Sequence, residues 1–203
     1  MRSKLIQFRN HLAPSNRFRI SGATTFENNA NILKTAIDSV GRNEIVFEEG
    51  VCLRNLSIAI RGETNLLRIS KDAIVAGRIE LYGDGNSVTI GARTHINGAF
   101  LGAHNGKSII IGSDCLFSTE VDMRTTDSHG IFDETGHRLN PDKDIVVGDR
   151  VWIGLGVTLL KGARIASDCV VGARSVVVGE IPANTVSAGV PARVLRGGVT
   201  WKA

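Results

Sequence analysis

The sequence predicts an all-β protein in which the chain coils through repeats of six residues. Aliphatic side chains recur at every sixth position over six consecutive repeats, a period that fits neither a helix nor an alternating strand but does fit a solenoid. The composition agrees, because glycine is frequent (23 residues) while aromatic residues make up only 5% of the chain. The six aliphatic positions are Val147, Ile153, Leu159, Ile165, Val171 and Val177.

Each hexad reads as a short strand followed by a corner. The position after the aliphatic residue is mostly small, as at Gly148, Gly154 and Gly172, which lets the backbone bend there. If three hexads close one triangular turn, residues eighteen apart stack at roughly 4.8 Å. The fifth positions, mostly small or β-branched, suit a narrow interior; they are Val151, Val157, Ala163, Cys169, Ser175 and Ile181.

Upstream, the period lengthens. Gly41, Gly62 and Gly83 lie twenty-one residues apart, each followed within three residues by an asparagine, which indicates eighteen residues plus a three-residue corner insertion. We therefore expect an N-terminal basic arm and lead-in over residues 1–40 and one repeat domain over 41–198. Residues 28–40 fit either a short helical face or a degenerate turn.

Charge and targeting signals point to a soluble cytoplasmic protein. The formal net charge is +4, and the first 26 residues contain basic side chains without any Asp or Glu, so this arm could touch phosphate or acidic glycans. A solvated terminus is the simpler interpretation, and no nucleic-acid partner is predicted. Apolar stretches are too short for a membrane span or an export signal.

The cysteines predict neither a disulfide framework nor a zinc site. Cys52, Cys115 and Cys169 are odd in number and far apart, without paired-cysteine metal spacing. Reduced thiols in a cytoplasmic protein fit this pattern.

A polar loop at about residues 124–146 interrupts the repeats, and such interruptions commonly carry function. It contains Asp127-Ser-His129, and the repeats resume before Val151-Trp-Ile-Gly154. This arrangement resembles the hexapeptide-repeat acyltransferases, in particular their sugar and capsular-polysaccharide O-acetyltransferase branch, over about residues 44–198. The resemblance implies a left-handed parallel β-helix, a homotrimer with sites between subunits, acetyl-CoA as co-substrate and no metal.

His129 is the candidate general base. An imidazole, with a reference pKa of about 6.5, can take a proton from an acceptor hydroxyl near neutral pH and return it to the coenzyme sulfur. If the segment is extended, Asp127 shares a face with His129 and could orient its ring. The remaining histidines lack this context and are read as incidental; they are His11, His95, His104 and His137.

The resemblance also assigns binding residues. Trp152 should face outward, where stacking on a sugar or the coenzyme would explain it; a trimer contact is the alternative. The tail at about residues 187–198 resembles the family's coenzyme-binding segment, in which arginines meet phosphates. The implied coenzyme contacts are Leu155, Ala173, Val178, Gly179, Arg193 and Arg196. Family members often have Thr-Lys where this chain has Val178-Gly179, and Arg174 is the candidate substitute for that lysine.

The expected function is acetyl transfer from acetyl-CoA to a sugar hydroxyl, in a surface glycan or its precursor. An antibiotic, another small alcohol or a sugar amine remains open as the acceptor. A non-catalytic scaffold would need neither the histidine loop nor the tail. The zinc carbonic anhydrases of similar coil need two histidines close in sequence, and serine acetyltransferases need a leading helical domain; neither pattern is present.

Overall fold

Strands are the regular elements of this protein. The computed structural model describes residues 17–21, 25–28 and 30–202, and within these ranges it contains strands and no α-helix. Accordingly, no helix of the described residues is long and apolar enough to cross a membrane. In chain order the strands are β1 (Arg17–Ser21), β2 (Thr25–Asn28), β3 (Asn31–Leu33), β4 (Ala36–Val40), β5 (Glu44–Phe47), β6 (Cys52–Arg61), β7 (Leu66–Ile69), β8 (Ile74–Tyr82), β9 (Ser87–Ile90), β10 (His95–His104), β11 (Ser108–Ile111), β12 (Leu116–Phe117), β13 (Val121–Arg124), β14 (Ile145–Val147), β15 (Trp152–Ile153), β16 (Thr158–Leu159), β17 (Arg164–Ile165), β18 (Val170–Val171), β19 (Val176–Val177), β20 (Glu180–Ile181), β21 (Thr185–Gly189) and β22 (Ala192–Gly197).

The strands stack into a parallel β-solenoid of about seven turns. Downstream of residue 115 each turn has three faces: face 1 carries β12, β15, β18 and β21, face 2 carries β13, β16 and β19, and face 3 carries β14, β17 and β20. Upstream, β6, β8 and β10 each run across faces 1 and 2, with a register shift where the two faces meet. The fold class predicted from the sequence is confirmed as a parallel β-helix of hexapeptide repeats.

The six-residue period defines the core. All six predicted aliphatic positions are at most 2% exposed, from Ile153 and Val171 at 0% to Ile165 at 2%. The downstream register confirms the eighteen-residue turn, since Trp152 pairs with Val170. Cys169 is fully buried in this narrow interior, as predicted from its fifth position. Cys115 is also buried, which raises the pKa of its thiol to about 11, and no cysteine in the structure forms a disulfide.

The last turn departs from the predicted period. Ile181 pairs with Ile165 and Val186 with Val170, so this turn contains sixteen residues rather than eighteen. Ile181 therefore occupies an aliphatic position of the hexad, not the fifth position predicted for it. The two missing residues are removed at the corner between faces 2 and 3, where Gly179 adopts a left-handed φ of 84° that glycine tolerates without a steric cost.

A buried ladder of asparagines explains the longer upstream turns. Asn65 donates from its backbone N–H (3.0 Å) and Nδ2 (3.1 Å) to Asn43 Oδ1. Asn86 makes the same pair of bonds to Asn65 Oδ1, at 2.9 and 2.8 Å. These side chains satisfy backbone groups that the inserted corner residues would otherwise leave unpaired inside the coil.

The solenoid begins earlier than the sequence suggested. β1 pairs in parallel with β4, and β4 pairs with β6, so strands that precede Gly41 already belong to the sheet. Residues 31–40 form strands β3 and β4, which resolves the open choice in favour of a degenerate turn. The boundary expected at residue 41 is therefore not a structural one, whereas most of the basic arm (residues 1–16) lies outside the described residues.

A column of alternating charges follows the corner between faces 3 and 1. Arg93 forms a bidentate pair with Asp114 (2.6 and 2.7 Å), and Arg150 pairs likewise with Asp168 (2.7 and 2.7 Å). These four residues, and Asp72 one turn earlier, all have left-handed φ angles between 51° and 61°. We call Asp72, Arg93, Asp114, Arg150 and Asp168 the charged column.

The close stacking of corner glycines generates a stability prediction. Gly62 has a φ of 118°, and a Cβ added there would lie 2.3 Å from the carbonyl oxygen of Gly83. We expect Gly62→Ala to lower the free energy of unfolding by about 2–4 kcal/mol, since it combines backbone strain with a backbone clash. Urea denaturation at fixed protein concentration measures this. Gly197→Ala is the control, because nothing lies within 4 Å of its added Cβ; equal midpoints for both variants would contradict the prediction.

Candidate functional site

The interrupting loop leaves the solenoid at the corner between faces 2 and 3. It follows β13 and returns to β14, and its two ends meet where the Lys143 backbone N–H donates to the Thr125 carbonyl (3.0 Å). Asp142, whose side chain is 6% exposed, closes the base by accepting from Arg138 Nη2 (3.1 Å) and Asn105 Nδ2 (3.0 Å). The base of the inserted loop is thus fixed to the rigid coil.

The far end of the loop is a small turn with an apolar surface. Phe132 and Arg138 form an isolated antiparallel bridge. Within the turn, Asp133 Oδ1 accepts hydrogen bonds from Thr135 and from the backbone N–H of His137. These bonds hold the pKa of Asp133 below its ordinary value, and the bond from the Thr135 side chain has the largest effect. Three apolar side chains project outward, with 58–60% of each exposed: Ile131, Phe132 and Leu139.

His129 lies exposed on the near part of the loop, and its backbone is fixed. Its N–H donates to the Asp127 carbonyl (2.8 Å), and its own carbonyl accepts from Asn140 Nδ2 (2.8 Å). Between them Ser128 takes a left-handed φ of 66°. The imidazole is therefore presented to the outside by a tight turn.

The Asp127 carboxylate is held by partners other than the His129 ring. Oδ2 accepts from Lys161 Nζ (2.5 Å) and from Asn140 Nδ2 (2.8 Å). These hydrogen bonds hold the pKa of Asp127 below its ordinary value; the bond from Lys161 has the larger effect and the bond from Asn140 the next. The left-handed φ of Ser128 departs from the extended segment on which the expected Asp127–imidazole contact depended, and the Asp127 carboxylate contacts Lys161 and Asn140.

The other histidines occupy different surroundings. His104 stacks on Tyr82, with ring centroids 5.2 Å apart and planes 18° apart, and its Nε2 is buried without a hydrogen-bond partner. Burial is the main cause that holds the pKa of His104 below its ordinary value. His95 and His137 are exposed, and His11 lies outside the described residues. In the part of the chain that the structure describes, no group of three or more potential ligands could hold a metal ion.

Trp152 faces outward from face 1, as predicted, and is 43% exposed. One neighbour is Trp201 near the end of the chain, whose ring centroid lies 6.1 Å away at a 46° tilt. Trp201 is fixed by a hydrogen bond from Nε1 to the Arg150 carbonyl (2.7 Å). This partner was missed from the sequence, although it is one of only two tryptophans in the chain.

Four of the six residues expected to contact the coenzyme lie at the two edges of face 2. Leu155 and Ala173 stack at the corner between faces 1 and 2, where the Arg174 N–H donates to the Leu155 carbonyl (2.8 Å). Val178 (56% exposed) and Gly179 lie at the corner between faces 2 and 3, on the side of the loop.

Arg174 is already engaged at its own corner. Its Nη2 lies 2.9 Å from Glu120 Oε2, and both side chains are largely exposed. Arg174 therefore lies at a different corner from Val178 and Gly179, and it does not take the place of the lysine that family members often have there. Lys161 lies at the same corner as Gly179, one turn earlier, and contacts the loop.

The tail forms a hairpin on the last turn of face 1. β22 pairs antiparallel with β21, with Arg196 opposite Val186 and Arg193 opposite Ala188. Both arginines are exposed, and among the described residues neither forms an ion pair; Arg193 donates only to the Ala192 carbonyl (3.0 Å). Their guanidinium groups are thus free to meet an anion.

A shallow cleft of about 430 Å³ opens beside the base of the loop. It is lined by basic and acidic side chains together, including Lys107, Lys143, Arg164 and Glu180, and it reaches Gly179. A Cβ added at Gly179 would meet nothing within 4 Å, so the corner beside this cleft is open.

Comparisons with known proteins agree with this architecture. The chain is 34% identical over 136 residues to a polysialic acid O-acetyltransferase of Escherichia coli O1:K1 / APEC, covering 66% of this chain and 44% of that protein. It is 34% identical over 131 residues to the polysialic acid O-acetyltransferase of Neisseria meningitidis (63% and 60% covered). A third relative is the putative lipopolysaccharide biosynthesis O-acetyl transferase WbbJ of Escherichia coli K12, 40% identical over 100 residues (44% and 50% covered). No protein-family model matches the sequence.

Two solved structures superpose over nearly the whole chain. The polysialic acid-specific acetyltransferase NeuO gives a TM-score of 0.84 at 29% identity, covering 93% of this chain and 89% of that one. The polysialic acid O-acetyltransferase OatWY also gives 0.84, at 27% identity and with 93% and 88% covered.

By its repeats, its fold and these matches, the chain resembles the hexapeptide-repeat acyltransferases. Within that family, the relatives and the two structures support the sugar O-acetyltransferase branch. The chain spans about half the length of the three curated relatives named above. Their activity and acceptors are therefore not transferred by similarity alone.

Burial of His104 generates a prediction about pH. Because its pKa is lowered in the folded state, protonation favours the unfolded state, so folding stability falls as the pH drops through about 6.5. We expect His104→Phe, which can stack on Tyr82 but cannot titrate, to lose less thermal stability between pH 7.5 and pH 5.5 than the unmodified protein. His137→Phe, at an exposed position, should keep the original pH dependence. Identical pH dependence in all three proteins would contradict this.

Proposed function

We propose that this protein is an acetyl-CoA-dependent O-acetyltransferase that acetylates a hydroxyl of a sugar, in a surface glycan or its precursor. The observation that carries the proposal is the position of His129, which is exposed on a loop that leaves the coil at the corner between faces 2 and 3, the corner that also carries Gly179. Two relatives of this chain are named polysialic acid O-acetyltransferases, and a third is a putative lipopolysaccharide biosynthesis O-acetyl transferase. Two free buried thiols suit a reducing compartment, so we infer a cytoplasmic enzyme.

His129 supplies the proton transfers. Its imidazole takes the proton of the acceptor hydroxyl while that oxygen attacks the thioester carbonyl, and it returns the proton to the sulfur as the C–S bond breaks. The products are an acetyl ester and free coenzyme A thiol, so atoms and charges balance. The scaffold reading, by contrast, leaves both the fixed turn at His129 and the unpaired tail arginines without a purpose.

The exposed residues of the two corners and the tail fit a coenzyme A molecule. Arg193 and Arg196, which have no carboxylate partner among the described residues, suit the coenzyme phosphates through their donor forks. Leu155 and Ala173 would contribute backbone contacts at one corner, and Val178 and Gly179 at the other. The absence of the family's lysine at this second corner leaves Arg193 and Arg196 as the main phosphate partners.

The distribution of these residues favours a site shared between subunits of a homotrimer. His129 and the Leu155–Ala173 pair lie on opposite edges of face 2 of one chain, so two copies packed side by side would bring such edges together. The apolar tip of the loop, with Phe132 60% exposed, is a surface that a second copy could cover.

The acceptor is best matched by a saccharide. Trp152 presents a large aromatic surface that remains 43% exposed beside Trp201, and an aromatic ring with a polar edge suits stacking on a sugar. Polysialic acid, the substrate named for two relatives, is an anionic polymer, and the net charge of +4 is compatible with an acidic glycan. A small alcohol, an antibiotic or a sugar amine is the alternative acceptor.

Removal of His129 tests the proposed base. We expect His129→Ala to lower kcat by about 10²–10⁴-fold while coenzyme A binding is retained, because the imidazole acts only in proton transfer. Release of free thiol from acetyl-CoA with a panel of acidic glycans, neutral oligosaccharides and small alcohols measures this. His137→Ala, at the other exposed histidine of the loop, should retain normal turnover. Full activity of His129→Ala would contradict the proposed mechanism. Thiol release with small alcohols alone would show that the acceptor is a small alcohol and not a glycan.

Mixing two inactive variants tests the shared site. His129→Ala and Ala173→Trp alter opposite edges of face 2, and each should be inactive alone. In randomly mixed trimers about a quarter of the sites would combine two unmodified edges and recover activity. Light scattering should give the mass of three 21.7 kDa chains. Mixed samples that stay as inactive as their parents would place the complete site within one chain.

A further inference from the structure

We propose that Asn140 and Lys161 form a positioning clamp that holds His129 in its working orientation. Neither residue would touch the reacting atoms, and the inference rests on the role proposed for His129. The clamp acts through the turn at residues 127–131, whose backbone and carboxylate groups it gathers.

Asn140 is the centre of the clamp. Its Nδ2 donates to Asp127 Oδ2 (2.8 Å) and to the His129 carbonyl (2.8 Å), while its Oδ1 accepts from the Ile131 N–H (2.6 Å). One amide side chain thus binds residues on both sides of His129 as well as His129 itself. An asparagine is suited to this, because it offers two donors and one acceptor in a plane.

Lys161 ties this cluster to the coil. Its Nζ binds Asp127 Oδ2 (2.5 Å) and donates to the Asn140 carbonyl (2.7 Å). The side chain is only 14% exposed, and it begins in the turn between β16 and β17, at the corner from which the loop departs. Contacts with the rigid solenoid, and not only contacts within the loop, therefore fix the position of His129.

The clamp is separate from the contacts that close the loop. The base is held by Asp142, with Arg138 and Asn105, and by the Lys143–Thr125 backbone bond, none of which includes Asn140 or Lys161 side chains. Loss of the clamp should therefore leave the loop attached and the coil intact while it frees the turn at His129. Displacement of a reacting group by about 1 Å can cost about 10²-fold in rate.

Four variants test the clamp. We expect Asn140→Ala and Lys161→Gln to lower kcat by about 10–100-fold, with little change in the KM for acetyl-CoA, in the coenzyme A affinity measured by calorimetry, or in the Tm. Lys161→Arg, which preserves the charge and can still reach the carboxylate, should recover most of the activity. Lys71→Gln, at an exposed lysine that contacts Glu49 on the upstream coil, is the matched control and should behave normally.

A spectroscopic readout separates positioning from general support of the fold. In Lys161→Gln the carboxyl carbon of Asp127, followed by NMR, should titrate at higher pH than in the unmodified protein, because the lysine that lowers its pKa is gone. The His129 ring resonances should shift in both Asn140→Ala and Lys161→Gln. Unchanged kcat in these two variants, or a fall in kcat matched by equal losses of Tm and coenzyme affinity, would overturn the clamp.

The proposed function and the clamp fail differently. If His129→Ala is fully active, the mechanism is wrong. If His129→Ala is inactive while Asn140→Ala and Lys161→Gln turn over normally, the mechanism stands and only the clamp is wrong.

Discussion

Each turn of this coil must return an aliphatic side chain to the position directly over its predecessor. That stacking constraint explains why Ile153 and Val171 pair at an interval of eighteen and are both fully buried. It also dictates where the chain can vary, since residues added within a strand would move every later side chain out of the core. Insertions and deletions are therefore confined to the corners: the asparagine corners upstream, the inserted loop at residues 124–146, and the shortened corner at Gly179.

The geometry of the candidate site follows from the restriction of insertions to the corners of the coil. A loop inserted at the corner between faces 2 and 3 must stay close to the next turns of that same corner, which places Lys161 and Gly179 beside it. The coil supplies fixed positions, while the loop supplies a histidine that a rigid corner could not present. The candidate site thus lies where the repeat is interrupted, and the repeat on either side fixes its position.

The parts predictable from sequence are those that the period encodes. Six hexads were enough to identify the buried positions, the eighteen-residue turn and the loop. The sixteen-residue last turn was not readable, because Ile181 is apolar and fits either hexad position. The partners Asn140, Lys161 and Trp201 were also missed: each acts through a contact with residues distant in sequence, and such contacts depend on loop conformation rather than on a repeat.

The charged column on the corner between faces 3 and 1 has a consequence for how the coil assembles. Each exposed ion pair contributes little to stability by itself, but the signs alternate from turn to turn. A chain whose strands joined one turn out of step would set arginine against arginine and aspartate against aspartate along that edge. The hydrophobic interior is nearly the same in every turn, so it does little to distinguish the adjacent turn from the one after it. The charged column does distinguish them, and it therefore favours the correct pairing of turns as the solenoid folds.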